Sequence, residues 1–105
     1  MTASSISRIL SGAGFNRSKL VPGRIVARRS EGYSVRAAGN NKDGNLVVVV
    51  EHEFDRYCVD QRKDGDAVEQ DRSGWLTRYK SVLEARGFTV RLVKGEYVSQ
   101  LAVTA

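Results

Sequence analysis

The sequence predicts an α+β domain in which an antiparallel sheet carries two helices packed on one face, in the element order α-β-β-β-α-β-β. Two segments, near residues 6–13 and 76–83, place apolar residues at helical spacing. Short β-branched runs lie between and after them, separated by polar turns that contain glycine. A chain of 105 residues can bury one modest core, so we expect a single domain covering residues 1–105.

The first helix is predicted to begin near Ser4 or Ser5, because either hydroxyl group can cap a helix N-terminus. Its apolar positions recur three or four residues apart, at Ile6, Ile9, Leu10 and Ala13. Gly14 is predicted to end it, since glycine adopts the left-handed conformation of a helix stop without steric cost. Residues 16–23 then read as a basic loop or an irregular edge segment.

Three strands are predicted next, at residues 24–29, 33–38 and 46–54. The tight connection at 30–32 predicts an antiparallel hairpin between the first two. The polar turn at 39–45 contains Asp43-Gly44, so the third strand is predicted to pair back against the second. The run LVVVV, at 46–50, is apolar on both faces, which is typical of a central, well-buried strand.

The second helix is predicted to start near residue 68 or 73 and to end near residue 86. Its apolar stripe consists of Leu76, Tyr79, Val82 and Leu83, with Trp75 at the margin. Strands at 88–93 and 96–103 are predicted to form a terminal hairpin. We expect the helical stripe to pack against the inward residues of the sheet, which include Val48, Val50, Val90 and Leu101.

Two phrases of the sequence are nearly the same: ILSGAGF at 9–15 and VLEARGF at 82–88. Each lies where a predicted helix ends. We interpret them as two helix stops, in which Gly14 and Gly87 make the left-handed turn while Phe15 and Phe88 pack back on the last helical turn. Duplication of an α-β-β unit is a second interpretation that the sequence leaves open.

Few residues are suited to catalysis or metal binding. Cys58 is the only cysteine and His52 the only histidine, and the chain contains no nucleophile elbow, phosphate-binding glycine loop or zinc motif. The segment 60–71 has the length of a calcium loop but places Arg62 at a ligand position. The carboxylates of 51–55 are explained as the solvent-facing end of a strand. We therefore expect no enzyme, no catalytic residue, no metal ion and no cofactor.

Charge is distributed unevenly along the chain, whose formal net charge is +5. Residues 1–36 contain seven basic side chains and one acidic side chain, whereas residues 37–72 contain five and nine. Basic residues on a loop and hairpin, with a tyrosine among them, are typical of a surface that holds a phosphate backbone. The predicted nucleic-acid-binding residues are Arg17, Lys19, Arg24, Arg28, Arg29, Tyr33 and Arg36.

The leading functional hypothesis is therefore a small binding protein that contacts DNA or RNA. The alternative is a protein–protein interaction module, either a homo-oligomer formed through an exposed strand edge or a factor that docks on a host protein. The longest apolar run, 46–50, is far too short to span a bilayer, so we expect no membrane partner and a cytoplasmic location.

One resemblance covers nearly the whole chain. It rests on the order SISRIL, Gly-Phe, a basic segment, EGYSV, a valine-rich strand and a final helix ending in GFTV. This order resembles small uncharacterised proteins of actinobacteria and their phages. No activity or site is established for those proteins, so the resemblance transfers no residue role. It implies a phage or mobile-element setting, an accessory or host-directed protein and, if phage-encoded, the host cytoplasm.

Overall fold

A four-stranded antiparallel sheet forms the centre of the protein. The computed structural model describes residues 1–22, 28–54, 65–95 and 98–105. Its elements are α1 (Ala3–Gly12), β1 (Leu20–Val21), β2 (Arg28–Arg29), β3 (Gly32–Asn40), β4 (Leu46–Glu53), α2 (Gly65–Ala85), β5 (Thr89–Lys94) and β6 (Ser99–Thr104). The strand order is β3-β4-β6-β5, so β3 and β5 are the edges of the sheet.

The strand β4 is central, as the valine run predicts. It pairs antiparallel with β3 on one side and with β6 on the other. Val48 and Val50 are fully buried, and Val49, which points to the opposite face, is also buried. The predicted pairing with the preceding strand is thereby confirmed, as is the terminal hairpin, because β5 pairs antiparallel with β6.

Both helices pack on the same face of this sheet, which confirms the predicted α+β class. The buried core consists of Ile6, Leu10, Tyr33, Val48, Val50, Leu76, Tyr79, Leu83, Val90, Leu101 and Val103. Full burial of one such aliphatic side chain contributes roughly 1.5–3 kcal/mol relative to exposure. Two residues of the predicted helical stripe are not part of the buried core. Val82 lies outside it, and Trp75 packs against the core while remaining partly exposed.

Thr2, rather than Ser4 or Ser5, caps α1. The Thr2 hydroxyl accepts a hydrogen bond from the Ser5 amide at 3.0 Å, and the Ser5 hydroxyl accepts one from the Thr2 amide at 2.9 Å. This is a reciprocal capping box in which serine occupies the position that glutamate or glutamine usually takes. The serine-cap prediction was wrong because three neighbouring hydroxyl residues offer the same chemistry, and only the helix register selects one.

The two helices end in the same way, and both predicted stops are confirmed. Gly14 and Gly87 have φ angles of +94° and +91°. The amide of Phe15 donates to the carbonyl of Leu10 at 3.1 Å, and the amide of Phe88 donates to that of Leu83 at 3.2 Å. These are the six-to-one hydrogen bonds of a Schellman stop, and both phenylalanine rings pack against the core.

The two halves of the chain also share one topology. The helix α1 leads into the antiparallel pair β3–β4, and α2 leads into β5–β6. The two pairs meet in the middle of the sheet through β4 and β6. This arrangement is what a duplicated α-β-β unit would produce. Neither described helix is long and apolar enough to cross a membrane.

Arg28–Arg29, the described part of the strand predicted at 24–29, does not pair with β3 as expected. This segment, β2, pairs instead with β1 in a separate two-stranded sheet. The reason is that the outer edge of β3 is already occupied at Tyr33: its amide donates to the Asn16 carbonyl at 2.9 Å, and its carbonyl accepts from the Ser18 amide at 2.8 Å. Residues 23–27 lie outside the described part of the chain.

Candidate functional site

A groove between α1 and the outer edge of β3 is lined by two arginines. It has a volume of about 270 Å³, and its described lining residues are Ala3, Ser4, Ser7, Arg8, Arg17 and Val35. We refer to this set as the basic groove. No acidic side chain occurs among these described lining residues, so the groove combines positive charge with hydroxyl groups.

The helix and the loop after it place the two arginines on the same groove. Ser4 and Arg8 are four residues apart and therefore lie on one face of α1, while Ile6 and Leu10 face the core. Arg17 is held by the hydrogen bonds of its neighbours Asn16 and Ser18 to β3, with which it forms a parallel bridge. The backbone of β3 thus fixes the position of the Arg17 backbone, from which its side chain extends toward the groove.

Both groove arginines keep their charge uncompensated. Arg8 and Arg17 are exposed, and neither forms an ion pair within the described ranges. Other arginines of the same chain are paired: Arg36 Nη2 lies 3.2 Å from a carboxylate oxygen of Glu51, and Arg72 pairs with Glu69. An unpaired guanidinium retains all its donors for a ligand, because no carboxylate occupies the fork.

Other predicted basic residues lie near the groove or outside the described part. Lys19 is exposed two residues beyond Arg17. Arg29 is exposed, and its Nε donates to the Ser18 hydroxyl at 3.1 Å. This hydrogen bond connects β2 to the segment that carries Arg17. Arg24 and the side chain of Arg28 lie outside the described residues.

Tyr33 and Arg36 are placed differently from the other predicted residues. Tyr33 is fully buried, and its hydroxyl group donates to the Ser7 carbonyl at 2.9 Å, so the ring is inaccessible to a stacking base. Arg36 lies opposite Val49 on the sheet face that carries no helix, where it pairs with Glu51. The seven predicted residues therefore do not form one continuous surface among the described positions.

Arg8 is a groove residue that the sequence analysis missed. Its signal is present, since it follows Ser4 by one helical repeat and lies on the polar side of α1. In the sequence, α1 is recognised by its apolar stripe, and the predicted basic cluster begins only at Arg17.

A second concavity, the aromatic cavity, lies next to the first helix stop. It has a volume of about 70 Å³ and is lined by Gly14, Phe15, Asn16, Glu31, Gly32, His52, Trp75 and Tyr79. His52 and Tyr79 are buried and form its floor. Gly14 and Asn16 are exposed and Glu31 is partly exposed, so these three form the mouth.

The cavity floor is fixed by contacts of His52. The alternation of β4 turns His52 toward the helices, away from Glu51 and Glu53. Its Nδ1 lies 2.6 Å from the Tyr79 hydroxyl oxygen, and its ring is stacked on Trp75 with centroids 4.8 Å apart. Its Nε2 lies 4.0 Å from a carboxylate oxygen of Glu31. His52 thus meets an acidic residue from a remote part of the sequence.

The electrostatic environment of the floor favours neutral tyrosine. Burial raises the pKa of Tyr79 above its ordinary value, and the nearby Glu31 carboxylate raises this pKa further. Arg78 acts in the opposite direction with a smaller effect. The Tyr79 hydroxyl is therefore protonated at neutral pH, and the negative charge of Glu31 reaches into the cavity.

These features define a two-layer α+β domain with a basic groove at one sheet edge and a small aromatic cavity. Among the described residues, no group of three or more His, Cys, Asp and Glu side chains is placed to hold a metal ion. Comparison of the chain with protein-family models, with curated proteins and with solved structures finds no match.

Proposed function

We propose that the protein binds nucleic acid by holding the phosphate backbone in the basic groove. The observation that carries this proposal is that Arg8 and Arg17 line the same groove, both exposed and both without an ion pair among the described residues. Lys19 lies just beyond the groove and extends the positive surface along the chain.

The chemistry of the groove suits phosphate oxygens. Guanidinium groups bind phosphate through two parallel N–H donors, and serine hydroxyls add further donors to the same oxygens. Ser4 is exposed beside Arg8 and supplies such a hydroxyl. Each arginine that neutralises a phosphate releases condensed counterions, so binding of this kind depends on the salt concentration and little on sequence.

The proposed contact residues differ from the nucleic-acid-binding residues predicted from the sequence. Arg8 joins Arg17 and Lys19 as a contact residue. Tyr33 is assigned a structural role, because its ring is buried and its hydroxyl is bonded to α1. Arg36 is assigned to the opposite sheet face, where Glu51 neutralises it.

Paired arginine substitutions test the proposal. The double variant Arg8→Ala/Arg17→Ala is compared with Arg86→Ala/Arg91→Ala, which removes the same charge after α2 and on β5, at the sheet edge opposite β3. Fluorescence anisotropy at low salt is measured with 20-nucleotide single-stranded DNA, single-stranded RNA and duplex DNA. We expect the groove variant to bind at least about tenfold more weakly and the control to bind like the natural protein. Equal losses in both variants would contradict the proposal.

A second candidate function is self-association by strand addition at the outer edge of β3. The exposed residues Ala37, Ala38 and Gly39 carry no charge, whereas the other edge strand, β5, exposes Arg91 and Lys94. Charged residues on an edge strand protect it from pairing with another chain, and small uncharged residues leave the backbone accessible. The favoured partner for β3 is a second copy of the same strand.

Light scattering tests this second candidate. Ala37 lies four residues from Tyr33, whose amide points to the outer edge, so proline at 37 removes an outward donor and spares the bonds to β4. A dimer in the natural protein that becomes a monomer in Ala37→Pro supports strand addition. A natural protein that is monomeric at every concentration tested excludes it.

A further inference from the structure

We propose that the aromatic cavity binds a small alkylammonium group, held between the Glu31 carboxylate and the partly exposed ring of Phe15, above the buried floor formed by His52 and Tyr79. The site is separate from the basic groove, with which it shares no lining residue. It also selects the opposite charge, so the two sites bind different partners.

The charges of the cavity lining favour a cation. Among the described lining residues, Glu31 is the only acidic side chain and none is arginine or lysine; the imidazole of His52 lies in the floor, with Nε2 4.0 Å from the Glu31 carboxylate. The Glu31 carboxylate is partly exposed at the mouth, where it can meet an incoming cation before the cation is desolvated. In a chain of net charge +5, described lining residues that include a carboxylate and no arginine or lysine favour a cation over an anion.

Aromatic side chains beside Glu31 provide a second contact for a cation. The ring of Phe15 stands edge-to-face with Tyr79, with centroids 4.9 Å apart and planes at 89°. It also stands at 75° to Trp75. Phe15 remains partly exposed beside Glu31, and a cation within about 6 Å of a ring centroid is attracted by the negative face of the ring. Arg78 already makes this contact outside the cavity, 4.9 Å from the centre of Trp75.

The field inside the cavity agrees with this assignment. Burial first and the Glu31 carboxylate second raise the pKa of Tyr79, in line with the position of this carboxylate close to the cavity floor. The neutral Tyr79 hydroxyl leaves the Glu31 carboxylate as the negative charge among the described lining residues. His52 closes the inner wall through its contact with Tyr79.

The size of the cavity limits the ligand. A protein cavity of about 150 Å³ accepts benzene, so the 70 Å³ available here accepts a group of about three non-hydrogen atoms. Ethylammonium has this size, as does the end of a lysine side chain. For a ligand so small, the expected dissociation constant is about 1 mM or weaker.

Intrinsic fluorescence provides the assay, because Trp75 is the only tryptophan in the chain and lines the cavity. The protein is titrated with ethylammonium chloride against sodium chloride of equal ionic strength, with ethanol and sodium acetate as neutral and anionic probes. Amide NMR shifts of Gly14, Asn16 and Gly32 provide a second readout at the cavity wall. Glu31→Gln removes the charge and retains the shape, and Glu84→Gln, on the exposed surface of α2, is the matched control.

We expect a saturable response to ethylammonium that is at least about tenfold weaker in Glu31→Gln and unchanged in Glu84→Gln. A titration with Nα-acetyl-lysine amide distinguishes the source of the ammonium group: saturation identifies a lysine side chain as an acceptable ligand, and its absence restricts the site to free amines. No saturable ethylammonium response in either readout, or an equal response to ethanol or acetate, would overturn the proposal. An undiminished response in Glu31→Gln would do the same.

Discussion

The imidazole Nδ1 of His52 lies 2.6 Å from the hydroxyl oxygen of Tyr79, in the buried layer between β4 and α2. This hydrogen bond joins the central strand of the sheet to the longer helix at a point where both side chains are almost completely buried. The stacking of Trp75 on the same imidazole adds a second contact between strand and helix. A polar pair at this depth contributes to stability only while both partners are present.

Replacing Tyr79 by phenylalanine is predicted to destabilise the fold. Phe fills the same volume but leaves Nδ1 of a buried histidine without the hydroxyl that it contacts. The expected loss in the free energy of unfolding is about 1–3 kcal/mol. Urea denaturation measures it, with Ser81→Ala on the exposed face of α2 as a control that leaves stability nearly unchanged. A Tyr79→Phe variant as stable as the natural protein would show that the pair is dispensable.

The stability of the protein is predicted to fall at alkaline pH in a way that depends on Tyr79. Burial raises the pKa of this hydroxyl in the folded protein, so the unfolded chain loses the proton first. The associated stability is fully present below about pH 10 and declines above it, by at most about 1.4 kcal/mol per pH unit for this one group. Between about pH 8 and 11, the free energy of unfolding should fall less steeply with pH in Tyr79→Phe than in the natural protein. An equally steep fall of the free energy of unfolding with pH in the two proteins would contradict the raised pKa of Tyr79.

The two helix stops are predicted to be sensitive to alanine. Gly14 and Gly87 have positive φ angles, so Gly14→Ala and Gly87→Ala should each cost about 1 kcal/mol. Gly74 provides the control, because it lies inside α2 with open space where a Cβ would project. Gly74→Ala should therefore stabilise the protein by about 0.5–1 kcal/mol. Thermal unfolding distinguishes the signs, and a gain at Gly14 or Gly87 would contradict the left-handed geometry.

Removing the Tyr33 hydroxyl is predicted to affect stability and leave nucleic-acid binding unchanged. The hydroxyl donates to the Ser7 carbonyl, so Tyr33→Phe should cost about 1–2 kcal/mol. The ring is buried and has no access to a base. Anisotropy measured under conditions where the variant remains folded should give the affinity of the natural protein. A clear loss of affinity would restore Tyr33 as a contact residue.

The sequence predicts best those elements whose signal is local. The run LVVVV predicts a central strand because no other position accommodates apolar residues on both faces. The Gly-Phe phrases predict two helix stops because glycine followed by an apolar residue has a specific geometric role there. In both cases the physical cause lies within a few neighbouring residues.

Long-range contacts explain what the sequence did not predict. The sequence predicts a hairpin between residues 24–29 and β3, but Arg17 bridges Tyr33 at that edge, and the described residues Arg28 and Arg29 pair with β1. Alternation along β3 already separates Tyr33 from Arg36, since residues three apart on a strand point to opposite faces. The meeting of His52 with Glu31 and Tyr79 joins three distant parts of the chain, and no local pattern encodes it.

The salt dependence of nucleic-acid binding tests the central claim most directly. The logarithm of the association constant is plotted against the logarithm of the salt concentration for the natural protein, Arg8→Ala/Arg17→Ala and Arg86→Ala/Arg91→Ala. If each groove arginine neutralises one phosphate, the slope of the groove variant should be shallower by about 1.4–1.8, and that of the control should equal the natural slope. Equal slopes for all three proteins, or no binding at low salt to single-stranded DNA, single-stranded RNA and duplex DNA, would contradict a phosphate-binding groove.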